Sequence, residues 1–144
     1  MTFGPSSLRG VRSGVVDHRL ARRALINEYR RGRLARHQVC DAHPELVRAA
    51  RSVGRPTASD CPICDDDKLV LVTYVFGPRL PAHGRCVTST RELHQLNRRR
   101  DQYQAYVVEV CPGCSWHHLL RVLPIGGRPT PRSSPDSRTG ENTG

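Results

Sequence analysis

Two CxxC pairs constrain this chain more than any other feature of its sequence. They are Cys61-Pro-Ile-Cys64 and Cys111-Pro-Gly-Cys114, and 46 residues separate them. In each pair a tight turn can direct two thiols at the same ion, and two such turns complete a tetrahedron of sulfur ligands. A catalytic zinc keeps one position open, whereas this set leaves none. The sequence therefore predicts one structural Zn²⁺ ion, with an iron–sulfur cluster or a redox dithiol as alternatives, at Cys61, Cys64, Cys111 and Cys114.

The composition agrees with a domain that a metal stabilises. The chain has 144 residues, of which 37% are hydrophobic and only 5% aromatic, so we expect one domain with a small core. Small cores usually need a disulfide or a metal. Residues 1–14 lack the apolar core of a signal peptide, and no run of about 18 apolar residues occurs. We therefore expect a cytoplasmic protein with no membrane partner, in which reduced thiols favour metal over disulfides.

Hydrophobic patterning predicts an α+β fold around the two cysteine pairs. β-branched and aromatic runs indicate three strands, at 69–76, 106–110 and 116–123. Ser89-Thr-Arg-Glu92 has the form of a capping box and predicts a helix over about 90–103. We expect a zinc-ribbon-like antiparallel three-stranded sheet over residues 57–124, with this helix as an insertion. Gly113 is interpreted as permitting an unusual φ in the second turn.

A basic helical segment is predicted ahead of the sheet, at residues 15–56. One helix extends from about Val15 to Arg31, with Ala21, Leu25 and Tyr29 as its buried stripe. A second begins at Pro44, which suits a first helical position, and ends at Gly54. The pair could form a helix-turn-helix or a helical cap on the zinc domain. The flanking segments 1–14 and 125–144 are Gly-, Pro- and Ser-rich, and we expect disorder there.

The charge of the chain is concentrated near its N-terminus. The net charge is +10, and residues 1–56 contain 12 basic and 4 acidic residues. Arg19, Arg23 and Arg30 fall on one face of the first predicted helix, and Arg98, Arg99 and Arg100 form a second cluster. Clustered arginines suit a polyanion, because each neutralised phosphate releases counterions. The alternative is an arginine-rich surface without a dedicated partner.

A second metal site is a weaker hypothesis. The residues with suitable side chains and HxxC-like spacing are His37, Cys40, His43, His83 and Cys86. Spacing alone is weak evidence, so we favour free thiols at Cys40 and Cys86 with surface histidines around them.

Other polar residues near the cysteine pairs have ordinary explanations. His117 and His118 follow Trp116 on a predicted strand, so they should face opposite sides of the sheet. We expect Trp116 to cover the metal site or the sheet. The run Asp65-Asp66-Asp67 is interpreted as a solvated loop tip.

The segments Val39-Cys-Asp-Ala-His-Pro-Glu-Leu46 and Val108-Glu-Val-Cys-Pro-Gly-Cys-Ser-Trp116 carry a family resemblance. With the paired knuckles, the sequence resembles zinc ribbons over residues 57–124. Over about residues 15–124 it also resembles a small actinobacterial family catalogued as domain of unknown function 5318. That resemblance implies a high-GC Gram-positive source and supports the ribbon, but it implies no activity or catalytic residues.

These observations predict a non-enzymatic protein with no small-molecule substrate. The sequence has no Gly-rich phosphate loop, no GxSxG and no HExxH. The leading hypothesis is an accessory factor for nucleic acid or for a nucleic-acid machine, RNA polymerase or ribosome, by analogy with other zinc ribbons. The competing hypothesis is an adaptor that binds an acidic protein surface. A third is a thiol or metal sensor that uses Cys40 and Cys86.

Overall fold

The computed structural model describes residues 18–127. Within that range the fold is α+β, which confirms the predicted class. Its elements in chain order are α1 (Arg19–Arg30), α2 (Arg36–Val39), α3 (Pro44–Val53), β1 (Arg55–Asp60), β2 (Lys68–Phe76), β3 (Arg85–Val87), α4 (Thr90–Asn97), β4 (Gln102–Val110) and β5 (His117–Gly126).

The strands form one antiparallel sheet of five, in the order β1-β2-β4-β5, with β3 also paired to β2. β1 and β3 lie end to end along one edge of β2, because β1 pairs with residues 68–71 and β3 with residues 73–75. The other edge of β2 pairs with β4 from Val70–Val110 to Phe76–Gln104. The three predicted strands therefore correspond to β2, β4 and β5, of which β2 and β4 are central and β5 forms the other edge of the sheet.

α3 packs against one face of the sheet. Its buried side chains, Leu46 and Ala50, belong to one hydrophobic cluster with Val72, Val108 and Leu119 of the sheet. Pro44 begins this helix and Gly54 follows its last residue, as the sequence predicts.

The opposite face is divided between two helices. At one end α4 places Leu96 against Val75 and Tyr103. At the cysteine end Ile26 of α1 belongs to a cluster with Leu69 and Trp116. The helical segment thus forms a cap on the sheet, with α3 on one face and α1 on the other.

β1 and β3 were not predicted, because neither has a strand-like hydrophobic pattern. β1 has the sequence Arg-Pro-Thr-Ala-Ser-Asp and is largely exposed, and β3 has only three residues. Both lie at the edge of the sheet, where a proline such as Pro56 is tolerated. Their position depends on pairing with β2 rather than on their own side chains.

The predicted helix over about 90–103 was too long. α4 ends at Asn97, and Tyr103, assigned to that helix, lies in β4 and is 1% exposed. Tyr103 pairs with Ile125, so β5 also extends to Gly126, beyond the predicted strand end at 123. The backbone of Gly126 donates to the side-chain oxygen of Asn97 at 3.0 Å, which joins the end of α4 to the end of β5.

α1 occupies the predicted position, but its buried face is rotated. Ile26 is buried, whereas the predicted stripe of Ala21, Leu25 and Tyr29 is only half-buried. The four-residue helix α2 was not predicted. The start of the first helix at Val15, the tail 1–14 and the tail beyond 127 lie outside the described residues. None of the described helices is long and apolar enough to cross a bilayer.

The contact between α3 and the sheet predicts a large difference between two helical leucines. Leu46 is fully buried, whereas Leu20 of α1 is 77% exposed. We expect Leu46→Ala to lower the free energy of unfolding by about 2–5 kcal/mol, because it leaves a cavity. Leu20→Ala should change it by less than about 0.5 kcal/mol. Chemical denaturation of both variants measures the difference, and equal effects would contradict the packing described for α3.

Candidate metal centre

The first CxxC pair forms a turn between β1 and β2. The amide of Asp65 donates to the carbonyl of Cys61 at 3.1 Å, and the amide of Cys61 donates to the carbonyl of Asp67 at 2.8 Å. The amide of Ile63 lies 3.4 Å from the sulfur of Cys61. Asp65, directly after Cys64, has φ of 62° and lets the chain leave the turn. The turn therefore directs both thiols to one side.

The second pair repeats this arrangement between β4 and β5. The amide of Ser115 donates to the carbonyl of Cys111 at 2.9 Å, and the amide of Cys111 to the carbonyl of Trp116 at 2.8 Å. The amide of Cys114 lies 3.4 Å from the sulfur of Cys111. Ser115 has φ of 76° and corresponds to Asp65 of the first turn. Two similar turns therefore face each other from adjacent strand ends.

The two turns bring four sulfur atoms together. The atoms lie within 4.8 Å of one another, and they belong to Cys61, Cys64, Cys111 and Cys114. The Cys61–Cys114 and Cys64–Cys111 sulfur pairs are each 3.7 Å apart. A tetrahedral ion with metal–sulfur bonds of about 2.3 Å requires sulfurs about 3.8 Å apart. The cluster therefore has the dimensions and the donor atoms to hold a metal ion.

Gly113 has a different role from the one predicted. The left-handed residues of the two turns are Asp65 and Ser115, and Gly113 is not among those with positive φ. A Cβ at position 113 would instead overlap the carboxylate of Asp67. The glycine thus allows the first loop to approach the second turn closely. The three residues of the acidic run are exposed, as predicted for a loop tip.

A hydrophobic cluster surrounds the sulfurs. Its buried side chains come from α1, α2 and the sheet, and they are Ile26, Val39, Leu69 and Trp116 together with Cys61 and Cys111. Trp116 is fully buried and covers the site, as predicted. Because this cluster joins both cysteine turns to α1 and α2, the site helps to position these two helices.

Glu109 places one buried charge beside this cluster. The indole of Trp116 donates to its Oε2 at 2.8 Å, and the Nε of Arg22 lies 2.6 Å from the same oxygen. Sequence reasoning missed this pair. A signal was present, because Glu109 interrupts the apolar strand 107–110 and a buried carboxylate needs a partner.

Burial opposes ionisation of three of the four thiols. It raises the pKa of Cys61 and of Cys111 to about 11, and that of Cys114 to about 12. At Cys64, burial is outweighed by the backbone amides of Asp66 and Asp67, so the pKa of this thiol lies below its usual value. A bound cation would supply the positive charge that stabilises the thiolates.

The linker between α2 and α3 lies against the second turn. The amide of Ala42 donates to the carbonyl of Ser115 at 2.9 Å. The sulfur of Cys40 lies 3.4 Å from that of Cys114. Loss of hydration acts to lower the pKa of Arg36, but the nearby sulfurs of Cys114 and Cys40 outweigh it and raise that pKa. This guanidinium is therefore placed to offset negative charge at the sulfurs.

The residues of the hypothetical second metal site are not brought together. In the described part of the chain, the four-cysteine cluster is the one group with metal-binding geometry. His43 instead caps α3, because its Nδ1 accepts from the amide of Glu45 at 3.1 Å. His83 and Cys86 line a separate cavity of about 570 Å³. His37 is exposed on α2.

His117 and His118 are both buried, at 3% and 2% exposure. The Nε2 of His117 lies 3.3 Å from a carboxylate oxygen of Asp41 in the linker. His118 stacks on Trp116, with ring centroids 6.0 Å apart, and its Nδ1 lies 2.7 Å from the carbonyl of Leu119. Both therefore have structural contacts near the cysteine turns.

The predicted arginine clusters are on the surface. Arg19, Arg23 and Arg30 are exposed on α1 and are spaced around the buried Ile26. Arg98, Arg99 and Arg100 are exposed in the turn between α4 and β4 rather than on a helix.

Most of this chain matches one known protein family. The model of a family of unknown function, DUF5318, matches residues 9–139. The chain belongs to this family. It is similar to uncharacterised proteins of Mycobacterium bovis and of two strains of Mycobacterium tuberculosis, each 42% identical over 130 residues, which cover 88% of this chain and 95% of the relative. No solved structure matches the chain. The family resemblance expected from the sequence is confirmed.

The thiol pKa values predict that metal binding releases protons. Cys61, Cys111 and Cys114 titrate far above neutrality without the ion, so at pH 7 binding should release at least these three protons. The apparent affinity should therefore fall as the pH is lowered. Calorimetric titration with Co²⁺ in buffers of different ionisation enthalpy counts the protons, with Cys86→Ala as a control that should release the same number. Binding without proton release would contradict thiolate ligation.

Proposed function

We propose that the protein is a cytoplasmic, non-enzymatic zinc-ribbon accessory factor that associates with nucleic acid or with a nucleic-acid machine, RNA polymerase or ribosome. The observation that carries the proposal is the combination of a closed four-sulfur site with exposed arginines on α1, which packs around that site, and in the turn after α4. The metal site holds α1 in a fixed position on the sheet, and the exposed arginines contact the polyanion.

Zinc is the ion that suits the sulfur cluster best. Four thiolates in tetrahedral geometry favour zinc or iron, and the backbone of paired CxxC turns at strand ends is typical of structural zinc. Protein atoms would occupy all four positions, which leaves none for a water or a substrate. This closed donor set supports a structural role and argues against metal-assisted catalysis.

Metal analysis tests the identity of the ion. Purified protein should contain one zinc per chain, and Cys61→Ser should lose it together with the folded sheet, because structural zinc contributes folding free energy directly. Cys86→Ser is the matched control and should retain zinc, since this thiol lies outside the cluster. Wild-type protein that contains iron, or that stays folded without metal, would contradict the zinc assignment.

The arginines without carboxylate partners support a polyanion as the target. Many arginines of the described chain form ion pairs, for example Arg33 with Glu28 and Arg79 with Asp101. Within the same residues, no ion pair involves Arg23, Arg30, Arg98, Arg99 or Arg100. Exposed guanidinium groups without a carboxylate partner among residues 18–127 are available for phosphate, to which they can donate two hydrogen bonds each.

A groove beside α4 carries two further exposed arginines. It has a volume of about 440 Å³, and its floor includes Leu71, Thr73 and Val107. Arg55 and Arg121 line it and are exposed. The groove thus lies on the sheet face against which α1 and α4 pack. Such an arrangement suits binding through the phosphate backbone with weak sequence preference, because few aromatic side chains are available for base stacking.

Neutralising the α1 cluster tests this proposal. Arg19→Ala, Arg23→Ala and Arg30→Ala together should weaken binding to duplex DNA or structured RNA without unfolding the protein, because exposed arginines contribute little to stability. The dependence of log affinity on log salt should flatten by about one unit for each phosphate contact removed. Titration of both nucleic acids at several salt concentrations measures the two effects.

A charge-matched control separates position from net charge. Arg33, Arg48 and Arg79 are exposed but paired with carboxylates, so the corresponding triple alanine variant removes the same formal charge. We expect it to bind nearly as well as wild type. Failure of wild type to bind either nucleic acid at low salt would reject direct nucleic-acid binding and favour an adaptor for an acidic protein surface.

A further inference from the structure

Cys40 is a fifth thiol in contact with the four-sulfur cluster. Its sulfur lies 3.4 Å from that of Cys114, which is closer than the 3.7 Å between the cluster members Cys61 and Cys114. Its side chain is half-buried, so a small oxidant can reach it. The sixth cysteine, Cys86, is also half-buried but lines a separate cavity beside Tyr74. The structure thus distinguishes two thiols that the sequence presents alike.

Neighbouring contacts hold Cys40 in this position. On one side Val39 is fully buried in the cluster around the sulfurs. On the other side Asp41 contacts His117, and the amide of Ala42 donates to the carbonyl of Ser115. Consecutive residues of the linker therefore follow the second cysteine turn, and the sulfur–sulfur contact is part of that docking.

We propose that Cys40 and Cys114 form a redox-active dithiol, in which oxidation by a peroxide joins the two sulfurs and removes one ligand from the metal. This inference rests on the proposed zinc ion but not on the proposed binding of nucleic acid. It assigns a covalent modification to a residue that is not one of the four metal ligands.

The chemistry takes place in two balanced steps. Peroxide transfers one oxygen to the Cys40 sulfur, which becomes a sulfenic acid, and water is released. The Cys114 sulfur then attacks the Cys40 sulfur, so that the sulfur–sulfur bond forms, the sulfur–oxygen bond breaks and hydroxide leaves. The two sulfurs together lose two electrons, and the peroxide gains them. Cys40 is the first target because its lone pairs are not engaged by the metal.

The step must disturb the metal. A disulfide brings its sulfurs to about 2.05 Å, so the present separation has to shorten by more than 1 Å. Cys114 then no longer offers a thiolate, and three sulfurs remain for the ion. A site that was closed thereby gains an open position, through which zinc can exchange or leave.

A simpler role for Cys40 would be to donate an S–H hydrogen bond to the metal-bound sulfur of Cys114. Cys40→Ser distinguishes the two roles, because serine retains a donor but cannot form a disulfide. Cys86→Ser is the matched control, because it removes a half-buried thiol that lies outside the sulfur cluster.

The experiment treats zinc-loaded wild type and both variants with hydrogen peroxide. A chromogenic chelator follows zinc release, and non-reducing peptide mass spectrometry identifies the disulfide. Wild type and Cys86→Ser should release zinc as the Cys40–Cys114 disulfide forms, and dithiothreitol with added zinc should restore the site. Release from Cys40→Ser should be slower by about tenfold or more, because no free thiol lies next to a ligand.

Two results would overturn the inference. One is equally fast release from Cys40→Ser and wild type. The other is a wild-type disulfide that joins two of the four metal ligands, which peptide mapping detects even if Cys40→Ser cannot be purified folded. The zinc content of wild type is measured before oxidation. Wild type without zinc would overturn the zinc assignment and the redox inference together, whereas zinc-loaded wild type that gives either result above would overturn the redox inference alone.

Discussion

The contact between cysteine sulfurs from distant parts of the chain determines how the two cysteine turns meet and where the helices around them pack. Cys61 and Cys114 are 53 residues apart in sequence, and their sulfurs are 3.7 Å apart in space. α1, α2 and α3 have 12, 4 and 10 residues, too few for a stable helix in isolation. Two of them place their apolar side chains, Ile26 and Val39, around the sulfurs. The positions of α1 and α2 therefore depend on how the cysteine turns meet, whereas α3 packs in a separate cluster.

Several parts of the fold could be predicted because their signals are local. A CxxC turn carries its chemistry in residue type and spacing, so all four clustered cysteines were identified from the sequence. The central strands have apolar side chains on both faces, which gives continuous runs such as Leu69–Phe76. α3 has a proline at its start and a glycine directly after it. Each of these signals is contained within about ten residues.

The remaining parts depend on partners far away in sequence. β1 is a strand because β2 supplies its hydrogen bonds, and the end of α4 is set by the pairing of Tyr103 with Ile125. The approach of Cys40 to Cys114 likewise requires the docked linker, and no spacing rule relates two residues 74 positions apart. Such contacts follow from the assembled sheet, and the sequence alone does not specify them.

The ion pair between Arg22 and Glu109 has a geometric consequence for α1. Side chains of a helix are separated by about 100° of rotation per residue, so one inward anchor sets the direction of every other side chain. Arg22 is that anchor, held by a carboxylate that Trp116 also engages. Arg23 and Arg30 lie about 100° and about 80° around the helix axis from Arg22, so the same ion pair also sets the direction of these exposed side chains. The Oε2 atom of Glu109 thus fixes the rotation of α1 about its own axis. That rotation determines the directions in which the exposed arginines of α1 reach solvent.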